Sequence, residues 1–264
     1  AEDGIRDATG GLVGSEMCIR DRSDTERDGH RVAFNQAFEE YGLDWSWDID
    51  TYGKLLAVTG GKERMKYFTE NFMDKADIPD DIDTLIPELH QAKTRHYTEL
   101  LSSGAIPLRT GVEPLIMEAR DRGYRLAIAT TTTPENVTAL LTHTLGKESI
   151  NWFDVIAAGD IVPAKKPAPD IYDYAMKEMG LNAEQCIAFE DSENGILASR
   201  GADLCTIITV NDYTHDHDFT GASIVLDQMG EPDHAFSVLD GNADGASYLD
   251  CDLVNRLHQQ CMSS

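Results

Sequence analysis

The feature that most constrains this chain is a series of short apolar runs at residues 125–130, 153–158, 186–189, 204–210 and 223–226. They alternate with segments of helical periodicity at 112–122, 134–145, 169–179 and 195–199. Runs of this length predict strands buried on both faces. Strands of that kind separated by helices predict an α/β fold with a doubly wound, parallel, Rossmann-like sheet. Such sheets bind ligands outside the carboxyl ends of their strands. Thr130, Asp160 and Asp191 each stand just past a strand end, so chemistry is sought there first.

Residues 25–103 read differently. Asp24 is a good N-cap, and Ala33, Phe34, Ala37 and Phe38 follow at helical spacing up to Tyr41-Gly42. Short helices around 49–58 and 62–73 flank Thr59-Gly60-Gly61, a turn that leaves backbone amides open. A long helix over 82–102 carries Leu85, Leu89, Tyr97 and Leu101 on or near one face. With no strand pattern among them, these residues form a compact helical unit. The tail from Gly230 is acidic and rich in Asp and Gly, with a helical segment near 247–260, and no chemistry is assigned to it.

At 264 residues and 41% apolar content, the chain can build one large α/β domain plus a smaller one. No apolar run approaches the ~18–20 residues that cross a bilayer, so no membrane partner is expected. The formal net charge of -25 argues against nucleic acid as a partner. An anionic substrate then requires a few cations gathered at one mouth. Cys186, Cys205, Cys251 and Cys261 show no Cys-x-x-Cys spacing; Cys186 and Cys205 read as buried thiols, which fits a reducing compartment.

Three signatures carry chemistry. Thr130 follows four apolar residues and opens Thr-Thr-Thr-Thr-Pro. A hydroxyl there, with the backbone N–H groups after it, can hold a phosphate oxygen, while Thr132 or Thr133 caps the helix that Pro134 opens. Lys166 lies in a loop after a strand, between Lys165 and Pro167, where a lysine can neutralise a transferring phosphoryl group. Glu190-Asp191 directly follows Ile187-Ala188-Phe189, and adjacent acids at a strand end offer oxygen ligands to Mg²⁺. The same acids also suit the start of the next helix, with Asp191 or Ser192 as its cap.

The N-terminus has another character. Residues 1–7, Ala-Glu-Asp-Gly-Ile-Arg-Asp, are encoded by GCA GAA GAC GGC ATA CGA GAT, which resembles a common sequencing flow-cell adapter. Residues 12–21 are encoded by CTC GTG GGC TCG GAG ATG TGT ATA AGA GAC, which resembles the transposon-derived adapter used beside the first. Residues 1–22 are therefore set aside as adapter-like and non-native. They carry neither the apolar stretch of a secretory signal nor the acid-poor composition of a transit peptide.

With these residues in hand, the chain resembles the haloacid-dehalogenase superfamily of phosphatases, with Thr130, Lys166 and Glu190-Asp191 matching its second, third and fourth motifs. Within it, the chain is similar to the CbbY-type xylulose-1,5-bisphosphate phosphatases. The supporting stretches are Ala33-Phe34-Asn35, Gly42-Leu43-Asp44-Trp45, Thr59-Gly60-Gly61-Lys62-Glu63-Arg64 and residues 153–160. The resemblance spans roughly residues 23–230. With the adapter-like segment at 1–22 set aside, the expected organisation is a remnant of the first motif and linker at 23–28, a helical cap at 29–104, mobile as the resemblance implies, an α/β core at 105–230 and an extension at 231–264.

The family's first motif is an Asp-x-Asp on the first strand, just before Asp-Thr-Glu. Its first aspartate is the nucleophile that forms an aspartyl-phosphate, and its second is the general acid/base. Here Asp24-Thr25-Glu26 stands, but the adapter-like segment occupies the strand's place. Asp21 and Asp24 follow no apolar strand and are not substitutes, so the first core strand is expected to be missing and the chain as written inactive.

For what remains, the resemblance implies a division of labour. Thr130 and Lys166 would hold the transferring phosphate, Thr131 and Asn194 would be substrate-binding, and Asp191 would ligate Mg²⁺ with Glu190 in support. From the cap, Lys62, Arg64 and Lys93 would bind a second phosphate, Gly60 and Gly61 would be substrate-binding, and Glu26 and His30 would face the sugar hydroxyls. The expected function is that of a Mg²⁺-dependent, monomeric phosphatase of a small sugar (bis)phosphate, cytoplasmic or, in a photosynthetic eukaryote, in the plastid stroma. Two alternatives stand beside it: a β-phosphoglucomutase-like phosphotransferase, and a non-catalytic sugar-phosphate-binding module.

Overall fold

A computed structural model describes residues 11–15, 25–103 and 108–263. Its sheet runs in the order β3-β2-β1-β4-β5-β6-β7. The strands are β1 (Gly11–Ser15), β2 (Arg125–Thr130), β3 (Val155–Ala158), β4 (Cys186–Glu190), β5 (Cys205–Thr209), β6 (Ile224–Leu226) and β7 (Val238–Gly241). All neighbours are parallel except the β6–β7 pair, which is antiparallel. This is the doubly wound sheet that the apolar runs predict.

One expectation is overturned. The slot foreseen as empty is filled by Gly11–Ser15, which pairs with β2 through Gly11↔Arg125 and Ser15↔Ala129, and with β4 through Gly11↔Cys186 and Gly14↔Phe189. Without a strand there, β2 and β4 would each present an open row of backbone donors and acceptors. Any short extended segment can pair with both rows, so tertiary context outweighs the weak strand propensity of Gly-Leu-Val-Gly-Ser. Asp21 and Asp24 lie outside the described residues. No carboxylate occurs within β1 itself.

The two faces of the sheet are packed differently. Leu126, Ile128, Ile187, Phe189 and Ile207 point to one face, into a cluster shared with α5 (Val112–Asp121), α6 (Pro134–Thr144) and α9 (Cys251–Met262). Ala127, Ala129, Ala157, Cys186 and Ala188 point to the other, where α7 (Asp170–Met179) and α8 (Glu193–Gly201) lie. Small side chains on that face bring α7 close to the strand ends.

The described residues between 25 and 103 contain helices and no strand, as expected. After a π-helical turn (Thr25–His30) come α1 (Arg31–Glu40), α2 (Ile49–Leu55), α3 (Gly61–Phe72) and α4 (Ile82–Ser102). Phe34, Phe38, Trp47, Tyr52, Met65 and Leu89 form their separate core. The long helix α4 serves both bodies: Ile86 and Leu89 belong to this core, whereas Tyr97 and Leu101 join the main one.

The tail adds β7 to the sheet edge and lays α9 against β5 and α5. Cys205 is not a free thiol, contrary to expectation. It is disulfide-bonded to Cys261 of α9, 56 residues away in sequence, while Cys186 is free and buried. The α9 fold-back brings the two cysteines together, which no sequence spacing announces. No helix of the described residues is long and apolar enough to cross a membrane.

Candidate active site

A cavity of about 330 Å³ lies between the helical unit and the carboxyl ends of the strands. Its core wall is built by three strand-to-helix junctions. After β2, Thr131, Thr132 and Thr133 line it, while Thr130 itself is fully buried just beneath. The Thr130 hydroxyl oxygen accepts from the Thr132 N–H (3.1 Å), which shapes the turn. Thr133 caps α6 by accepting from the Asn136 N–H, and Pro134 stands in the first turn, so this helix start faces the cavity as the sequence predicts.

The second junction brings Lys166, which is 8% exposed. Its ammonium donates to Glu190 Oε1 (2.6 Å) and to the Ala129 carbonyl (3.0 Å), and it lies over the Tyr172 ring. Tyr172 also donates its hydroxyl proton to Glu190 Oε1. Glu190 is thus committed to the Lys166–Tyr172 pair. Its Oε2 is buried against the first turn of α8, where a β-carbon on Gly195 would come within 2.0 Å. Only glycine leaves room for that carboxylate.

The third junction presents Asp191, whose Oδ2 accepts from Asn211 Nδ2 (2.7 Å), and Ser192, whose side chain caps α8. Asp191 lines the cavity and fits one oxygen ligand of a divalent cation. Glu190, expected beside Asp191 as a metal ligand or its support, also lines the cavity and binds Lys166 and Tyr172 through Oε1. Among the described residues no group of three or more His, Cys, Asp or Glu side chains is gathered for a metal ion.

The helical wall carries the other charges. Arg64 is 8% exposed and Lys93 4%. The Arg64 guanidinium donates to the Tyr52 hydroxyl (2.8 Å), which in turn donates to Glu26 Oε2, and Arg64 lies 3.7 Å from that same oxygen. Lys93 donates to Nδ1 of His30 (2.8 Å) and sits about 5 Å from the ring centres of Phe34 and Tyr97. His30 is stacked on Tyr97 with centroids 3.9 Å apart. Gly60 and Gly61 line the cavity at the start of α3, and Asn194 bridges to Thr59 Oγ1 (3.1 Å). Lys62 does not reach the cavity; it is half-exposed at the rim, 3.9 Å from Asp160.

Several lining residues escaped the sequence reading. His90 packs on Gly61 and faces the cavity one turn before Lys93, a spacing that a search for titratable residues three apart on α4 would have found. Burial, reinforced by the charges of Lys93 and Lys62, holds its pKa down at about 4, so it is neutral at neutral pH. Asn211, Tyr213 and His217 come from the loop after β5, which carries no motif.

A family profile described as hydrolase, haloacid dehalogenase-like hydrolase, matches residues 7–203. Protein CbbY of Rhodobacter capsulatus is 47% identical over 193 residues, covering 73% of this chain and 83% of that protein. Protein CbbY of Cereibacter sphaeroides is 44% identical over 203 residues, covering 76% and 86%. The crystal structure of a CbbY mutant from Rhodobacter sphaeroides, in complex with xylulose-(1,5)bisphosphate, superposes with a TM-score of 0.76 at 41% identity, over 83% of this chain and 94% of that one. The chain belongs to the haloacid dehalogenase-like hydrolase family, and its framework is that of a phosphatase-type enzyme.

Proposed function

We propose that this framework is that of a sugar-bisphosphate phosphatase and that xylulose 1,5-bisphosphate is its substrate. The observation that carries the reading is the distribution of buried cations in a protein of net charge -25. Lys166 stands at the core wall, and Arg64 and Lys93 stand at the helical wall of the same cavity. A ligand with an anionic group at each end matches that arrangement. The similarity to a structure crystallised with xylulose-(1,5)bisphosphate supports it.

The transferring phosphate belongs at the core end. There the turn after β2 offers the Thr131 hydroxyl and the N–H groups that open α6, and Lys166 supplies a fixed positive charge. Lys166 is held by Glu190 and the Ala129 carbonyl, so little reorganisation is needed as charge develops on a leaving oxygen. At the helical end, the N-terminus of α3 at Gly60-Gly61 joins Arg64 and Lys93 around the second phosphate. Glu26, His30 and the neutral His90 suit the hydroxyls between them. The helical unit acts as a cap over the core.

Mg²⁺ is the proposed cofactor, with Asp191 as one ligand and Glu190 in a supporting position. When bound it would screen the charge of the phosphoryl group. The protein groups do the binding and orienting, and they exclude water by closing the helical wall over the core.

Catalysis of this kind needs a carboxylate nucleophile on the central strand, and β1 reads Gly-Leu-Val-Gly-Ser. The chain as written therefore binds its ligand without turning it over. The test is phosphate release from xylulose 1,5-bisphosphate with Mg²⁺ by this chain, beside one in which residues 1–22 are replaced by an apolar strand carrying Asp-x-Asp-Gly. Release by the replaced chain alone supports the reading. An isomeric sugar phosphate as product would make it a mutase, and binding without turnover in both chains would make it a binding module.

A further inference from the structure

We propose that Lys165, Glu63 and Asp160 form a clasp that holds the helical unit closed on the core, with Lys165 as the positioning residue at its centre. The inference rests on the cleft being the substrate site, and it assigns a task to a lysine that the phosphate chemistry does not use. The Lys165 ammonium donates to Glu63 Oε1 of α3 (2.7 Å) and lies 3.0 Å from Asp160 Oδ1 in its own loop after β3. Lys62, next to Glu63, approaches the other oxygen of Asp160 at 3.9 Å. The four charges alternate in sign, two from the helical unit and two from the core. Each like-charged pair is separated by an opposite charge.

The local backbone is built for this contact. Gly60 has φ +98°, and a β-carbon on it would meet Glu63 Oε2 at 2.2 Å and Lys165 Nζ at 3.1 Å. The missing side chain lets the Glu63 carboxylate fold back across the helix start towards the core. Thus Gly60, read from sequence as a substrate-binding turn, also opens the path for the clasp. Lys165 carries only a fifth of its full exposure, less than half that of Glu63. Opening the cleft would leave Lys165 with Asp160, its loop neighbour, and return Glu63 to water. Closure therefore adds one charge-assisted hydrogen bond without leaving a bare charge in the open state.

A partly exposed pair of this kind shifts a two-state equilibrium by about two- to fivefold. That suffices for a lid whose open and closed states are close in energy, because a small bias then changes the populations directly. The bond is also screenable, so closure should weaken with salt while the buried contacts at Lys166 and Arg64 change little.

The test measures the distance between fluorophores incorporated at Glu70 on α3 and Lys177 on α7, without ligand and with xylulose 1,5-bisphosphate. Lys165→Met and Glu63→Gln should each lower the closed-to-open ratio of the free protein about two- to fivefold. The double variant should be no worse than either single one, and Lys165→Arg should keep the ratio. About 1 M salt, where the screening length is ~3 Å, should erase the difference. An unchanged ratio in Lys165→Met, or additive effects in the double variant, overturns the clasp. If the bisphosphate fails to bind any of these proteins the substrate reading falls, while the ligand-free distances still judge the clasp.

Discussion

The two walls of the cleft bury their cations among different partners. At the core wall Lys166 is matched by a carboxylate, a carbonyl and the hydroxyl that also bonds its partner, so the charge is balanced inside the protein. At the helical wall Lys93 is surrounded by a histidine nitrogen and two aromatic faces, and Arg64 reaches Glu26 mainly through Tyr52. A neutralised pair gives the reacting group a fixed, pre-organised environment. Aromatic faces stabilise a cation through the negative charge of their π-electrons. On the proposed function, the first wall serves chemistry and the second affinity.

Substitutions can break this comparison. The largest effect is expected from Lys166→Met, which strands Glu190 in a site with 1% exposure. Loss of one partner of a buried pair costs about 3–5 kcal/mol, read as a lowered midpoint in denaturant unfolding. A stability loss below about 1 kcal/mol would show that the pair is not the structural unit described.

At the other wall, Lys93→Met keeps the volume and the packing against Phe34 and Tyr97 but removes the donor to His30 Nδ1, so stability should fall less than in Lys166→Met. Affinity for xylulose 1,5-bisphosphate, by titration calorimetry, should instead fall on the order of 100-fold, as for the loss of one charge from a desolvated ionic contact. Equal losses of stability in the two variants would erase the distinction between the walls.

His90 sharpens the comparison more gently. Its pKa lies at about 4 in the folded protein, below the ordinary value of 6.5, because burial and the adjoining lysines disfavour its charged form. The unfolded chain therefore takes up a proton first as pH falls. Stability should be full above about pH 6.5 and decline between there and pH 4, by on the order of 2 kcal/mol or less. His90→Gln should remove that part of the slope in a pH series of unfolding curves. A slope unchanged by the substitution would mean that His90 takes up its proton alike in the folded and unfolded states.

Much of this arrangement is legible in the sequence, for physical reasons. The ends of β2 and α4 match their predicted limits because unbroken apolar runs and i, i+4 spacings report burial directly. Thr130 and Asp191 stand at strand ends and Lys166 in the loop after β3, all on the side of the sheet where the carboxyl ends of the strands gather. What escaped depends on distant partners. Gly11–Ser15 becomes a strand only because β2 and β4 leave a slot. Cys205 meets Cys261 only after α9 folds back. Tyr213 reaches the cleft by packing against Gly53 and Tyr52 of the helical unit, a contact no local pattern encodes. Glu190 and Asp191 look alike in sequence, and only the fold shows the first bonded to Lys166 and Tyr172 and the second to Asn211.

The central claim, a cleft with cationic groups at both ends, is tested most directly by calorimetry on the chain as written. Xylulose 1,5-bisphosphate should be compared with xylulose 5-phosphate, which has a single phosphate. The account predicts that the bisphosphate binds at least about tenfold tighter, since a second charge-assisted contact contributes ~1.5–3 kcal/mol, and that Lys93→Met abolishes the preference. Equal affinity for the two ligands, or a preference that survives Lys93→Met and Arg64→Met alike, would contradict it.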